Sequence, residues 1–377
     1  MTHIAIDVSR LAVTNRTGTE HYTYELLGAL ARQDRRSQYT LYCNQRLVRL
    51  PPLGPNFGLR RIPFPRLWTH ARLSAEVLAQ PPDVLFIPAH VLPLGAPLRR
   101  NMHTVVTVHD LGYMHFPSSH TRAQRLYLRL STLWSARVAT QIIAISNATC
   151  HDLIRFTGIS SDKVTTIHHG VSAQFHATED VATTAVRQKY GIDGDYFLYL
   201  GTIQPRKNIL RLIDAFASIK AGIRPLRLVI AGKPGWLTQS IEQRATERGV
   251  ADRVHFIGYV ADADRTPLLR GAIGFVFPSL YEGFGMPILE AMQCGTPVIT
   301  STTSALPEVA GDAAILVNPG YTNAIAAAMI QLASNTQLRE DLRRRGFARV
   351  RHFTWDRCAE QTLQTLQKPT PDVRYVK

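Results

Sequence analysis

Two carboxylates, Glu282 and Glu290, lie in the stretch Pro278-Ser-Leu-Tyr-Glu282-Gly-Phe-Gly-Met-Pro-Ile-Leu-Glu290. An apolar run, Gly274-Phe-Val-Phe277, leads through a glycine turn into a helix expected over Met286–Cys294. Pro287 falls in its first turn, where a missing N–H costs little. Gly283 and Gly285 let the backbone approach a ligand closely, and the helix start presents unpaired N–H groups. Such groups suit a phosphate, and carboxylates accept hydrogen bonds from sugar hydroxyls. Acids beside an anion site therefore suit a nucleotide sugar. The plainer reading is structural: strand, glycine turn and helix recur throughout α/β proteins, and an acid on a helix commonly faces solvent.

Other residues with chemical potential follow apolar runs in the same way. Arg206 and Lys207 come after Tyr196–Leu200 and the turn at Gly201. Lys233 lies in Gly232-Lys-Pro-Gly235, and Gly258-Tyr259-Val260 follows Val254–Ile257. His109 and Asp110 follow Thr104–Val108, where Asp110 could orient the histidine ring or cap the next turn. Thr17-Gly18-Thr19-Glu20 opens a helix after the run Ile4–Val8.

These residues need a scaffold that collects strand ends. In the first half, strands are expected at Ile4–Val8, Tyr39–Cys43, Asp83–Ile87, Thr104–Val108 and Gln141–Ile145. Helices are expected at Tyr22–Arg32, at about 119–138, and after Ser146-Asn147, which cap the helix start. The second half restarts the pattern with Tyr196–Leu200, Leu226–Ala231, Val254–Ile257, Gly274–Phe277, Pro297–Thr300 and Ala314–Val317. Near-continuous apolar strands alternating with helices imply parallel sheets covered on both faces. The fold class is thus α/β, with two doubly wound Rossmann-like domains facing a central cleft. The expected divisions are 1–178, 179–354, and 355–377 for a last helix, N-capped by Thr354, and a disordered tail over 369–377. Ligands bind outside the carboxyl ends of strands in such sheets, where all these motifs fall.

Bulk properties narrow the class. A chain of 377 residues, 45% hydrophobic and 19% charged, suits two globular domains. No apolar run approaches the roughly 20 residues of a spanning helix, and no apolar signal segment opens the chain. A cytoplasmic location is expected, with peripheral contact on the inner membrane face if a basic surface calls for it. Cys43, Cys150, Cys294 and Cys358 are too scattered for a disulfide framework or a zinc site. The net charge of +15 is uneven: residues 1–175 carry 19 Lys/Arg against 9 Asp/Glu. No nucleic-acid-binding motif accompanies this charge. Its most concentrated source is a helix with Arg122, Arg125, Arg129 and Arg137 beside Leu126, Tyr127, Leu130, Leu133 and Trp134. Arginines at i, i+3 and i+7 share a face. Either the apolar side of this helix is core and the arginines are solvated, or the helix lies on an anionic bilayer.

The blocks Gly201-Thr-Ile-Gln-Pro-Arg206-Lys207-Asn208, Phe256-Ile-Gly258-Tyr-Val260, Glu282-x₇-Glu290, Gly295-Thr-Pro-Val and Leu306-Pro-Glu308-Val-Ala-Gly311 occur in order. Together they resemble the retaining glycosyltransferases of family 4, the mannosyltransferase-like group 1 enzymes of the GT-B fold, over nearly the whole chain. The resemblance implies a C-terminal helix that crosses back to the N-domain, an acceptor-binding N-domain and a donor-binding C-domain. It implies that Arg206 and Lys207 bind the donor diphosphate and steady charge on the leaving oxygens, so that no metal or other cofactor is expected. Asp262-Ala-Asp264 reads as a helix start. Thr202 departs from the family, where arginine is frequent, and Arg206 is expected to carry that charge.

Glu290 would hold the ribose hydroxyls. Glu282 would sit near the anomeric carbon, positioning and stabilising charge without a covalent adduct. Phe284 and Gly285 would offer N–H groups, with Gly283 opening the turn. His109 would stand near the donor sugar, and Gly18 would bring backbone to the diphosphate. Gly258, Tyr259 and Val260 would line the base pocket, with Lys233 beside the base or phosphates. The implied activity is transfer of mannose or glucose from a GDP- or UDP-linked donor to a sugar or lipid-linked acceptor, in polysaccharide or glycolipid synthesis. The rivals are a phosphorylase or nucleotide-sugar epimerase on the same fold, and an inactive transferase-like binding protein.

Overall fold

The computed structural model describes residues 1–13, 18–64, 67–89, 91–99, 101–117, 121–175, 180–219, 226–233 and 238–368. The chain divides into two compact units: Met1–Gly170 with Thr354–Lys377, and Val171–Phe353. The boundary expected at 178/179 and the tail over 369–377 lie outside the described residues.

In the first unit, seven strands form one sheet: β1 (His3–Asp7), β2 (Gln38–Cys43), β3 (Phe57–Arg61), β4 (Val84–Ile87), β5 (His103–Val108), β6 (Gln141–Ala144) and β7 (Val164–Thr166). Their order is β3-β2-β1-β4-β5-β6-β7, and every neighbouring pair is parallel. Every residue of β4, β5 and β6 is buried, as two covered faces require. The edge strands β3 and β7 escaped the sequence reading. Both are largely unburied, so neither needs a continuous apolar run.

The last helix, Trp355–Leu366, packs on Gly18–Gln33 of this unit. Thr354 caps it, its hydroxyl accepting from the Arg357 N–H at 3.1 Å. His103 Nε2 donates to the Thr365 carbonyl at 3.1 Å, and Arg32 pairs with Asp356 at 2.6 Å. A Cβ on Gly170 would lie 2.2 Å from the Trp355 nitrogen, so backbone packs on backbone there. The return of the final helix to the first unit agrees with the GT-B expectation.

The basic helix runs Arg122–Val138, opened by a reciprocal cap between Thr121 and Gln124. Its expected first residues, 119 and 120, lie outside the described residues. Its buried side is Ser131, Thr132, Ser135 and Ala136. Thr132 accepts from the Tyr113 hydroxyl at 2.9 Å, and Ser135 accepts from the Leu92 N–H at 3.0 Å. Leu126, Tyr127 and Leu130 point outward, 58%, 51% and 57% exposed. The reading of the apolar side as core is overturned for these three, while Leu133 and Trp134 are half-buried and Leu128 and Val138 pack against the core.

In the second unit, β8 (Asp195–Leu200), β9 (Leu226–Ala231), β10 (Val254–Gly258), β11 (Gly274–Phe277), β12 (Val298–Ser301) and β13 (Ala314–Val317) form a parallel sheet in the order β10-β9-β8-β11-β12-β13. Chain order reverses between β8 and β11, which marks where such sheets bind ligands. Among the described residues, no helix is long and apolar enough to cross a membrane.

Candidate active site

The ends of β8, β9 and β10 are packed backbone to backbone. A Cβ on Gly232 would fall 1.9 Å from the Gly201 carbonyl oxygen, a position no side chain can occupy. The Gly232 N–H donates to the Gly258 carbonyl at 2.7 Å, and the Gly201 N–H donates to Ala231 at 2.9 Å. The loops after the three strands therefore start side by side. Within them, Lys233 Nζ lies 5.0 Å from the centre of the half-exposed Tyr259 ring, and Val260 is buried. Residues 234 and 235 lie outside the described residues.

The loop after β8 turns tightly through Pro205–Lys207 into Asn208, which adopts a left-handed conformation at φ +63°. Its side chain secures that turn, donating to the Pro278 and Pro319 carbonyls at 3.1 and 2.8 Å. The Leu280 N–H donates to the Arg206 carbonyl at 2.8 Å and ties this loop to the one after β11. Arg206 and Lys207 then converge on one carboxylate. Arg206 Nη1 donates to Glu282 Oε2 at 2.9 Å, and Lys207 Nζ donates to Glu282 Oε1 at 2.5 Å. Lys207 also lies over the Phe277 ring, 4.9 Å from its centre. Burial opposes the charge on Glu282, but the Lys207 and Arg206 charges outweigh it and hold the carboxyl at about 2. The Glu282 N–H donates to the Ser304 hydroxyl at 2.9 Å.

Gly283, Phe284 and Gly285 complete the turn. Gly285 stands at φ +109°, and a Cβ there would meet Leu306 at 2.7 Å. Phe284 is buried against Phe353, with ring centres 5.9 Å apart. The following helix is Met286–Gln293. It carries Glu290 away from the Glu282 cluster to a different cation: Arg265 donates to Glu290 Oε2 and stacks over Phe175 at 4.9 Å. Burial dominates at Glu290 and raises its carboxyl above the usual range in spite of Arg265. Sequence reasoning missed Arg265 and the turn-fixing role of Asn208.

In the first unit, His109 directly follows β5 and is buried. Its Nε2 donates to the Pro88 carbonyl at 2.7 Å. Asp110 takes the other role open to it, accepting from the Gly112 N–H at 3.0 Å. The ring meets Tyr22 edge-on at 4.9 Å, and His169 stacks between Tyr22 and Trp355. Gly18 begins the helix that carries Tyr22; it is exposed, and a Cβ there would meet nothing within 4 Å. Its neighbour Thr17 lies outside the described residues.

Asp264 indeed sits on a helix, Asp262–Gly271, where it accepts from Lys189 and Tyr190 at 2.6 and 2.8 Å. A second acidic pair, Asp193-Gly-Asp195, was passed over in the sequence; Asp193 is bound by Arg227 at 2.7 Å. Among the described residues, no three His, Cys, Asp or Glu side chains group as metal ligands.

Two family models cover most of the chain: group 1 glycosyl transferases at residues 183–349 and glycosyltransferase family 4 at 16–175. The O-antigen chain mannosyltransferase B of Escherichia coli is 34% identical over 298 residues, covering 78% of this chain and 77% of that protein. The chain belongs to the family 4 glycosyltransferases. The fold agrees. Sucrose-phosphate synthase from Thermosynechococcus elongatus superposes with a TM-score of 0.76 at 22% identity, over 97% of this chain and 98% of that one. HepE from Anabaena, solved with UDP and glucose, gives 0.74 at 20% identity, over 97% and 99%. This glycosyltransferase therefore has the two-domain GT-B architecture.

Proposed function

We propose that this glycosyltransferase moves a hexose, mannose before glucose, from a nucleoside-diphosphate donor to a hydroxyl of a sugar or lipid-linked acceptor, with retention at the anomeric carbon. The observation that carries the reading is the convergence of Arg206 and Lys207 on Glu282 at the reversal point of the second sheet. The carbon–oxygen bond to the diphosphate breaks, and its electron pair leaves with the phosphate. Cations fixed at that place stabilise the leaving charge most as it develops. They supply what a divalent metal supplies in other transferases, so the reaction is metal-independent. The acceptor oxygen bonds to the same face of the sugar, and its proton passes to the departing phosphate oxygen.

Glu282, held ionised, stabilises positive charge on the sugar ring. Glu290 accepts from the ribose hydroxyls, and His109 acts on the donor sugar. The loops at Lys233 and Gly258–Val260 enclose the base, which is guanine or uracil. Support for mannose comes from the relatives' names, including O-antigen chain mannosyltransferase B; support for a nucleotide donor includes the UDP held by HepE. Building of a surface polysaccharide or glycolipid follows, with the enzyme working peripherally on the inner membrane face.

A thermal-shift series with nucleoside diphosphates and nucleotide sugars, with and without EDTA, tests this. A bound ligand raises the melting temperature according to its concentration over its dissociation constant. One nucleotide family should shift the wild type regardless of EDTA, and Lys207→Ala and Glu290→Ala should lose that shift. Equal shifts in both variants would sink the site assignment. Phosphate-dependent cleavage without any nucleotide sugar would identify a phosphorylase instead.

A further inference from the structure

The helix Arg122–Val138 turns apolar side chains to solvent as well as to the core. An ordinary surface helix turns its apolar stripe to the core and its polar face to water. Here the fully buried residues are Ser131, Thr132, Ser135 and Ala136, three of them hydroxyl residues, two with named partners within the domain, and Leu128 and Val138 pack partly buried against the core. The side turned to solvent carries Leu126 and Leu130, one helical turn apart, with Tyr127 beside them. Arg122, Arg125 and Arg129 are exposed along the same stretch. Between Asp110 and Asp152 the sequence holds no acidic residue, so nothing on this helix neutralises the arginines. A further apolar side chain, Leu67, is 71% exposed. It precedes the helical turn of His70, whose Nε2 lies 3.3 Å from the Tyr127 hydroxyl.

We propose that this face docks on an anionic lipid bilayer, with Leu126 and Leu130 entering the acyl boundary. Tyr127 would sit at the headgroup level and Arg122, Arg125 and Arg129 on lipid phosphates. The chemistry fits each part: leucines gain by leaving water, a tyrosine has one apolar and one wet end, and arginine stems lie along apolar surface while the heads meet phosphate. A second copy of this chain fits less well. Two-fold contact through the same patch would set one arginine row against its duplicate with no acid between them. The inference extends the lipid-linked acceptor reading by assigning the surface that meets the lipid, and it stands on this helix alone.

The test is co-flotation of the full-length protein with phosphatidylethanolamine–phosphatidylglycerol vesicles and with pure phosphatidylcholine vesicles. The wild type should float with the anionic vesicles only, and less so as salt rises. Replacing Arg122, Arg125 and Arg129 together by Gln should weaken binding on the order of 100-fold, at about fivefold per arginine near the surface. Leu126→Ser with Leu130→Ser should weaken it about tenfold or more. Both variants should keep the wild-type nucleotide-induced thermal shift, or the wild-type melting temperature if no nucleotide shifts any of them. In the latter case the donor reading has failed while the surface is still tested. Equal flotation with neutral vesicles, flotation unchanged in both variants, or no flotation at all would overturn the proposal. A concentration-dependent dimer lost in the leucine variant, without vesicle binding, would mark the face as a self-association surface.

Discussion

Glu282→Gln should weaken the fold while tightening the grip on a nucleoside diphosphate. The carboxyl is held at about 2, against an ordinary 4.5, by Lys207 and Arg206 acting over its burial. At about 1.4 kcal/mol per pH unit, that shift corresponds to roughly 3 kcal/mol of stability. A depressed carboxyl contributes its full stabilisation above the unfolded value near 4.5 and loses it as pH falls toward 2. Glutamine cannot supply it at any pH. Urea denaturation should therefore show the variant roughly 3 kcal/mol less stable at neutral pH, with the gap closing below about pH 4.5. For a unit of this size, the melting temperature should drop by roughly 6–12 °C.

The same change removes the carboxylate that engages both cations, so they turn wholly to phosphate. Calorimetric titration with GDP and UDP should show affinity rising about tenfold for the nucleotide that binds, which is roughly 1.4 kcal/mol. Turnover should fall on the order of 100-fold, as when a charge-stabilising group is lost from a transition state. Weaker diphosphate binding in Glu282→Gln, or a stability gap that persists at low pH, would refute the reasoning.

Three further outcomes follow from the site. Arg265→Ala leaves the buried Glu290 carboxylate without its cation, at a cost of roughly 3–5 kcal/mol. Because burial already raises Glu290, the deficit should shrink as pH is lowered and the carboxyl takes up a proton; adding Glu290→Gln should restore part of the stability, read by denaturation at acid and mildly alkaline pH. Gly232→Ala forces a methyl onto the Gly201 carbonyl and should cost roughly 1–3 kcal/mol, with loss of the nucleotide-induced thermal shift. Thr354→Ala removes a helix cap worth about 1 kcal/mol, which hydrogen exchange should register as faster exchange at the amides of Trp355–Leu366.

The central strands were legible because both faces are buried, so an apolar run is obligatory in β4, β5 and β6. Neither β3 nor β7 carries that obligation, and neither left a pattern to read. The Glu282 region was legible through its glycines and the order of its parts. The partner of Glu290 was not: Arg265 is one of many arginines, and only the folded chain brings its helix alongside. The ring of His109 is held by the carbonyl of Pro88, a group every residue possesses, so no side-chain signal announced it. The basic helix shows a different limit. Periodicity reveals which residues of a helix are apolar but not which of them meet the core, and small hydroxyl residues at 131, 132 and 135 pack there beside Leu128 and Val138.

The last helix has a bearing on the order in which the molecule assembles. Because Trp355–Leu366 completes the first unit, that unit is interrupted in sequence by the whole of Val171–Phe353. A ribosome releases the second unit entire before the first can be finished. Bringing together two ends so far apart would ordinarily carry a loop-closure penalty that grows with the logarithm of the intervening length. Here the interruption removes that penalty by folding: the Val171 N–H donates to the Phe353 carbonyl at 3.0 Å, so its two ends emerge one hydrogen bond apart. The final helix is then delivered beside the segment ending at Gly170, where the missing Cβ leaves room for the Trp355 backbone. The inserted unit thus acts as an intramolecular clamp for its host, and a chain cut short at residue 353 should stall with Tyr22 and His169 uncovered.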